Sequence, residues 1–280
     1  MPTFKVTLAY DGTDFVGWQR QASGTSVQGL LEHALLELDG HDVTVYGAGR
    51  TDAGVHALGQ VASFALTRPI GAAELLRAVN ARFPDSVRVV SAEEVSASFH
   101  ARFGATRKVY RYRIWNAELS SPFERAFSWH LPAPLDTDAM QEAAMALQGR
   151  HDFAAFQASD STTRTSVREV FLSAVLVNGR HCGADVDLRA DGEGVPPAVS
   201  RCWPRGALIE YEVTGDGFLR HMVRNIVGSL VEIGRGRRPV EWITTVLAGR
   251  DRTLAGPTAP PHGLVLVSVE YGARSLAADR

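Results

Sequence analysis

The chain has 280 residues, 45% hydrophobic and 21% charged, with 29 basic against 31 acidic side chains and a formal net charge of −2. These proportions exclude a disordered, collagen-like or coiled-coil chain, and the length suits one large domain or two intimately packed subdomains. The run 225–231, without an ionisable group, is stopped by Arg224 and Glu232, far short of the ~18–20 apolar residues that span a bilayer, so no membrane partner is expected.

Strand-like and helix-like segments alternate along the chain. Phe4 to Tyr10 has strand composition and ends at the turn signal Asp11-Gly12. Val27, Leu30, Leu31, Ala34, Leu35 and Leu38 recur at helical spacing, with Ser26 as N-cap and Gly40 as stop. A short strand is expected over Val43–Tyr46, another over Gln60–Leu66, a helix over Ala72–Ala81 and a strand over Val87–Val95. Val109, Arg111, Arg113 and Trp115 alternate with Tyr110, Tyr112 and Ile114, so each parity lines one face of a strand.

Further on, Asp138–Leu147 reads as a helix, and Val170–Val177 and Ala207–Val213 as strands. Leu219, Met222, Val223, Ile226, Val227 and Leu230 form a helical stripe, Val240–Leu247 is a further helix and Leu264–Tyr271 a closing strand. The Gly/Pro-containing stretch 178–206 reads as a long exposed hairpin loop. Irregular mixing of strands and helices indicates an α+β fold, and a subdomain boundary is expected near residues 100–108.

The N-terminus runs from Met1-Pro2-Thr3-Phe4-Lys5 into a strand and not into an apolar signal region, which sets the expectation of a cytoplasmic protein. Two cysteines, Cys182 and Cys202, cannot form a disulfide framework and fit a reducing compartment. His181 adjoins the first, but zinc needs about four ligands in short paired spacings, and neither C-x-x-C nor H-x-x-x-H occurs, so no metal is expected.

All but Lys5 and Lys108 of the 29 basic residues are arginine. Arginine's planar fork suits phosphates and bases, although a GC-rich genome gives the same bias. Clustering is more telling. Arg102, Arg107, Lys108, Arg111 and Arg113 form an acid-free run interleaved with Phe103, Tyr110 and Tyr112, and Arg235-Gly236-Arg237-Arg238 forms a second acid-free patch. A near-neutral chain with such stripes can grip a polyanion through them.

One segment departs from ordinary scaffold: Gly47-Ala48-Gly49-Arg50-Thr51-Asp52-Ala53-Gly54-Val55-His56-Ala57. Its glycines let the backbone turn sharply or lie close to a ligand. Arg50, two residues from Asp52, favours the ionised carboxylate, and an ionised, sheltered carboxylate is a competent nucleophile. The same residues also suit a turn whose aspartate binds its own backbone. Likewise Tyr110 is either a half-buried core aromatic or a stacking group.

The segment 49–57 closely resembles the active-site signature of the bacterial tRNA pseudouridine synthase A family. The resemblance extends through Tyr10-Asp11-Gly12-Thr13-Asp14-Phe15-Val16-Gly17-Trp18-Gln19, Ser26-Val27-Gln28-Gly29, Phe99-His100-Ala101-Arg102-Phe103 and Tyr110-Arg111-Tyr112. It continues through Phe153–Ser159, Phe218–Gly228 and His262-Gly263-Leu264 with Tyr271. Ordered matches over nearly the whole chain are more specific than any one motif.

The resemblance implies a pseudouridine synthase fold, with two similar α/β subdomains whose mixed, largely antiparallel sheets flank a central cleft. On that pattern residues 1–105 form the subdomain carrying the Asp loop, and 106–280 the one completing the tRNA-binding cleft. It further implies conversion of uridine to pseudouridine at tRNA positions 38, 39 and 40 in the anticodon stem-loop, by a homodimer that needs no metal or cofactor. Residue by residue, Asp52 falls on the catalytic aspartate, Tyr110 on the active-site tyrosine and Arg50 on the adjacent arginine. Arg224 falls on a late-helix basic residue that pairs with the aspartate, Arg220 lying one turn earlier on the same expected face.

The chemistry agrees with these residue types. Isomerisation breaks C1′–N1, turns the base and joins C1′ to C5, with no redox change. Sugar attack, base attack and elimination to a glycal are all open to a carboxylate so placed. Tyr110 would stack on the extruded uracil or accept a proton, and Arg50 would fill the vacated stack. The stretch 179–205 is longer than the corresponding family hairpin and is expected to extend into solvent. A non-catalytic RNA-binding protein is disfavoured by the intact Arg-Thr-Asp. A glycosidase or phosphoryl hydrolase would want a second acid or an acidic metal cluster, and neither is evident.

Overall fold

The computed structural model describes residues 1–159, 163, 165–181 and 207–272. The stretch Cys182–Gly206, which carries both cysteines and most of the expected long hairpin loop, lies outside them. The fold is α+β. The chain separates into two compact units: Met1–Tyr110 with the closing segment from Leu264, and Arg111–Gly263.

In the first unit, β1 (Thr3–Tyr10) buries alternate residues, Phe4, Val6, Leu8 and Tyr10, as a strand with period two must. It pairs antiparallel with β3 (His56–Ala65) on one side and β4 (Val87–Val95) on the other. Beyond β3 come β11 (Leu264–Tyr271) and then β5 (Ala105–Asn116), whose first half belongs to this unit. β11 runs parallel to β3, with Val265 opposite His56 and Leu266 opposite Ala57. The two-residue β2 (Tyr46–Gly47) pairs with β3 at Ser63 and Ala62. β3 is buried at all but Leu58 and Ala65, the pattern of a strand covered on both faces.

Helix α1 (Val27–Asp39) starts where Ser26 accepts the Gly29 amide and stops at Gly40 in the left-handed region (φ 75°), as the sequence predicts. It buries Val27, Leu31, Ala34 and Leu35 and packs beside α2 (Ala72–Asn80), which buries Leu75 and Val79. A separate cluster of Ala48, Val61 and Ala101 is covered by Phe99, Val269 and Tyr271.

In the second unit the strand order is β5, β10 (Ala207–Gly215), β8 (Val167–Val177), β7 (Gly149–Asp152). The short β6 (Trp129–Leu131) runs parallel to the end of β5, and β9 (Arg180–His181) pairs back onto β8. The alternation predicted along β5 is present: Tyr110, Tyr112 and Ile114 are buried and the residues between them are half-buried. Helix α3 (Thr137–Met145), capped by Asp136, packs on β8 and on α4 (Met222–Gly234).

Helix α4 is buried almost all round, so its polar groups need internal partners. Asn225 donates to the Phe156 carbonyl at 2.8 Å and accepts from Thr258 and Arg252. The Ser229 hydroxyl donates to the Asn225 carbonyl and accepts the Gly256 amide. Helix α5 (Trp242–Gly249) follows. Among the described residues no helix is long and apolar enough to cross a membrane.

Three expectations are corrected. Val43 and Val45 are buried without joining a ladder, so the short strand shrinks to Tyr46–Gly47. β3 begins four residues earlier than predicted, inside the segment read as a loop motif. The late helix begins at Met222 and not at Leu219, because His221 adopts the left-handed conformation (φ 62°) and turns the chain before it. Arg220 therefore precedes the helix and does not share a helical face with Arg224.

Candidate active site

Asp52 lies in the eight-residue connection between β2 and β3, and the preceding N-terminal segment fixes that connection. At its start, Gly47 lies against Trp18: a Cβ there would fall 2.3 Å from the indole nitrogen. The Ala48 amide donates to the Val61 carbonyl at 2.8 Å, and Gln60, fully buried, donates its side-chain amide to the Gly49 carbonyl at 2.9 Å. The Thr51 carbonyl accepts the Trp18 amide at 3.1 Å, and the Thr51 hydroxyl is buried against the Tyr10 hydroxyl at 2.8 Å.

The turn then closes. Val55 donates its amide to the Asp52 carbonyl at 3.1 Å, and Gly54, at φ 75°, donates to Phe15 at 3.3 Å. Gly17 lies against the residues on either side of Asp52. It holds φ 109°, and a Cβ on it would meet the Thr51 carbonyl oxygen at 2.5 Å, with backbone atoms of Asp52 and Ala53 just beyond 3 Å. At the far end of the connection, buried His56 has Nδ1 2.9 Å from the Gly12 amide and 3.1 Å from the Asp11 carboxylate. When the ring is neutral, Nδ1 accepts the Gly12 amide and Nε2 carries the proton.

This scaffold leaves Asp52 half-buried and Arg50 exposed on the same loop. Tyr110, on β5 and buried, is brought to the same region: burial first, then the Tyr10 phenol and the Asp52 carboxylate, raise its phenol well above the ordinary value. Tyr10 is pushed up to about 12 by burial, against the opposing effect of its Thr51 and Gln60 hydrogen bonds. Both phenols are therefore protonated at neutral pH. A protonated Tyr110 presents a hydroxyl donor and an apolar ring face.

Arg224 belongs to the second unit, half-buried in the first turn of α4, where its Nε donates to the Ala259 carbonyl at 2.7 Å. Its charge lowers the Tyr112 phenol slightly against a larger rise from burial. Arg220 is exposed.

The acid-free stripes of the sequence are not acid-free in space. Arg111 donates through Nε and Nη2 to Glu212 at 3.1 and 2.7 Å, and Arg113 lies 3.0 Å from Glu124 and 3.7 Å from Glu210. Arg235 and Arg237 share Glu232, and Arg238 stacks on Trp242 at 5.1 Å. Paired arginines contribute less to phosphate binding than exposed ones, so Arg111 and Arg113 add less to the first stripe than the sequence alone suggests. No group of three or more His, Cys, Asp or Glu side chains placed to hold a metal ion stands among the described residues.

Tyr10, Thr51, Trp18, Gln60 and His56 emerge as the residues that shape the loop. The segment 10–19 stands out in the sequence as a signature, but its hydrogen bonds to residues 51–56 cross about 40 positions and leave no local pattern.

A family model described as tRNA pseudouridine synthase matches residues 7–104 and 143–272. The chain is 45% identical over 271 residues to tRNA pseudouridine synthase A of Myxococcus xanthus, covering 97% of this chain and 92% of that protein. It is 45% identical over 273 residues to the protein of the same name from Moorella thermoacetica, and 42% identical over 271 residues to that of Pelobacter propionicus. Each comparison covers 97% of this chain and 100% of the relative.

Proposed function

The chain belongs to the tRNA pseudouridine synthase family, and from that premise we propose how its own residues perform the reaction. It is an isomerase that converts uridine to pseudouridine in tRNA, and Asp52 is its catalytic nucleophile. The supporting observation is the half-buried Asp52 on a loop pinned by the Tyr10–Thr51 hydroxyl pair, with its field reaching the buried Tyr110 phenol.

In the reaction C1′–N1 breaks, the uracil turns within its pocket, and C1′ joins C5. The C5 proton leaves and N1 ends protonated, so atoms balance without a cofactor. Asp52 engages the nucleotide while the glycosidic bond is open. Tyr110, a neutral phenol, covers the detached base without repelling its negative charge. Arg50, exposed on the same loop, enters the space left by the extruded nucleotide and binds phosphate. Arg224 takes the role of the late-helix basic residue that the family resemblance assigns to it.

The substrate sites are uridines 38, 39 and 40 of the anticodon stem-loop, and the enzyme is a cytoplasmic homodimer. These finer assignments follow the family resemblance, and gel filtration with light scattering tests the dimer.

The decisive experiment incubates unmodified tRNA with wild type and Asp52→Asn and scores pseudouridine chemically. Wild type modifies the anticodon arm, and the variant, melting like wild type and still binding tRNA, does not. Equal modification by the variant removes Asp52 from the mechanism.

A further inference from the structure

Next to the strand that leads into the Asp52 loop, three rings stand in contact at the surface. Tyr46 on β2 lies 4.7 Å from His100, centroid to centroid, and His100 lies 4.4 Å from Phe103. The Arg102 guanidinium sits over Phe103 at 5.7 Å. Phe103 is 77% exposed and Tyr46 48%.

The turn that carries them is held rigidly from beneath. The Ala101 amide donates to the buried Ser63 hydroxyl at 3.0 Å, and the Tyr271 hydroxyl donates to the Ala101 carbonyl at 2.7 Å. The His100 ring accepts the Arg102 and Phe103 amides through Nδ1, and the Gly104 amide returns to the His100 carbonyl. Ala101 is fully buried while Phe103, two residues on, projects into water. The fold buries little of that ring, yet fixes the backbone on both sides of it.

We propose that Tyr46, His100, Phe103 and Arg102 form a stacking platform for an unpaired nucleobase of the RNA substrate, outside the Asp52 pocket. The proposal rests on the tRNA-modifying reading above and adds a second point of contact to it. Aromatic faces bind any base, because every base has a π-face, and unstacked loop nucleotides are what such platforms hold. Arg102 supplies charge complementarity to the neighbouring phosphate. Unlike Arg111 and Arg113, it has no carboxylate partner among the described residues.

The test uses full-length wild type, Phe103→Ala, Phe103→Trp and Arg102→Ala with an anticodon-arm RNA carrying 2-aminopurine at successive unpaired positions. Stacking quenches the probe at one position in wild type and in Phe103→Trp, and Phe103→Ala restores its emission. Phe103→Ala weakens RNA binding about 5- to 150-fold with an unchanged salt slope, whereas Arg102→Ala lowers the slope by about one.

Each variant's melting temperature is measured alongside, and little change is expected from so exposed a ring. Quenching and affinity equal to wild type in Phe103→Ala overturn the platform while pseudouridine formation by wild type leaves the catalytic reading standing. No pseudouridine from wild type itself overturns that reading instead. A change in oligomeric state in place of RNA affinity assigns the rings to a second copy and also overturns the proposal.

Discussion

Gly17→Ala isolates the contribution of the N-terminal segment to the active loop. The new methyl would lie 2.5 Å from the Thr51 carbonyl oxygen, where ordinary contact begins at 3.4 Å, so backbone must move by close to 1 Å. No side-chain rotation relieves the clash, because the neighbours are backbone atoms of Thr51, Asp52 and Ala53. The backbone conformation, φ 109°, costs a further ~1–3 kcal/mol for alanine.

Gly40→Ala is the matched control, with a left-handed φ of 75° and nothing within 4 Å of the added carbon. It should lose about 1–3 kcal/mol of stability by strain alone and keep its turnover. Gly17→Ala should lose that plus about 1–3 kcal/mol of overpacking. Displacing a catalytic group by about 1 Å should also cut kcat on the order of 100-fold. Single-turnover pseudouridine formation, at a temperature where circular dichroism shows both variants folded, reads the two effects separately. If Gly17→Ala keeps its rate within about twofold of Gly40→Ala, the N-terminal segment does not position Asp52.

Two other predictions concern the same scaffold. Tyr10→Phe strands the buried Thr51 hydroxyl and should cost about 1–3 kcal/mol in denaturant unfolding. Adding Thr51→Val should recover part of that, and simple additivity of the two variants would refute the pairing. Burial raises the Asp11 carboxyl, but hydrogen bonds from Thr13 and the charge of His56 outweigh it and hold it below 3.8. Its stabilisation is thus complete above the unfolded value and lost as pH falls through the folded one. Asp11→Asn should flatten the acid limb of the melting curve below about pH 4 and leave the neutral region level; an unchanged acid limb would refute the linkage.

Much of the architecture was legible because local signals agreed. Ser26 and Gly40 bracket α1, alternation marks β5, and β4 and β11 have the predicted ends. The start of α4 was not legible, since a histidine in a left-handed conformation carries no composition signal. The loop motif itself was readable from its glycines and the Arg-Thr-Asp core. Its support was not, because Tyr10, Trp18 and Gln60 reach it through contacts remote in sequence. For the same reason the basic run around residue 110 looked uncompensated: Glu210 and Glu212 arrive on a strand about 100 residues later.

The position of β11 bears on how the enzyme is made. It lies between β3 and β5 and pairs with His56 and Ala57, directly after the Asp52 loop, yet it follows the whole of 111–263 in the chain. At ribosomal rates of about 5–20 residues per second, roughly eight to thirty seconds separate the emergence of Tyr110 from that of β11. Over that interval, while the second unit is being synthesised, the nascent chain leaves β3 without its β11 partner at His56 and Ala57, beside the Asp52 loop. The sheet beside the Asp52 loop is therefore completed only late in translation, by the last strand to emerge.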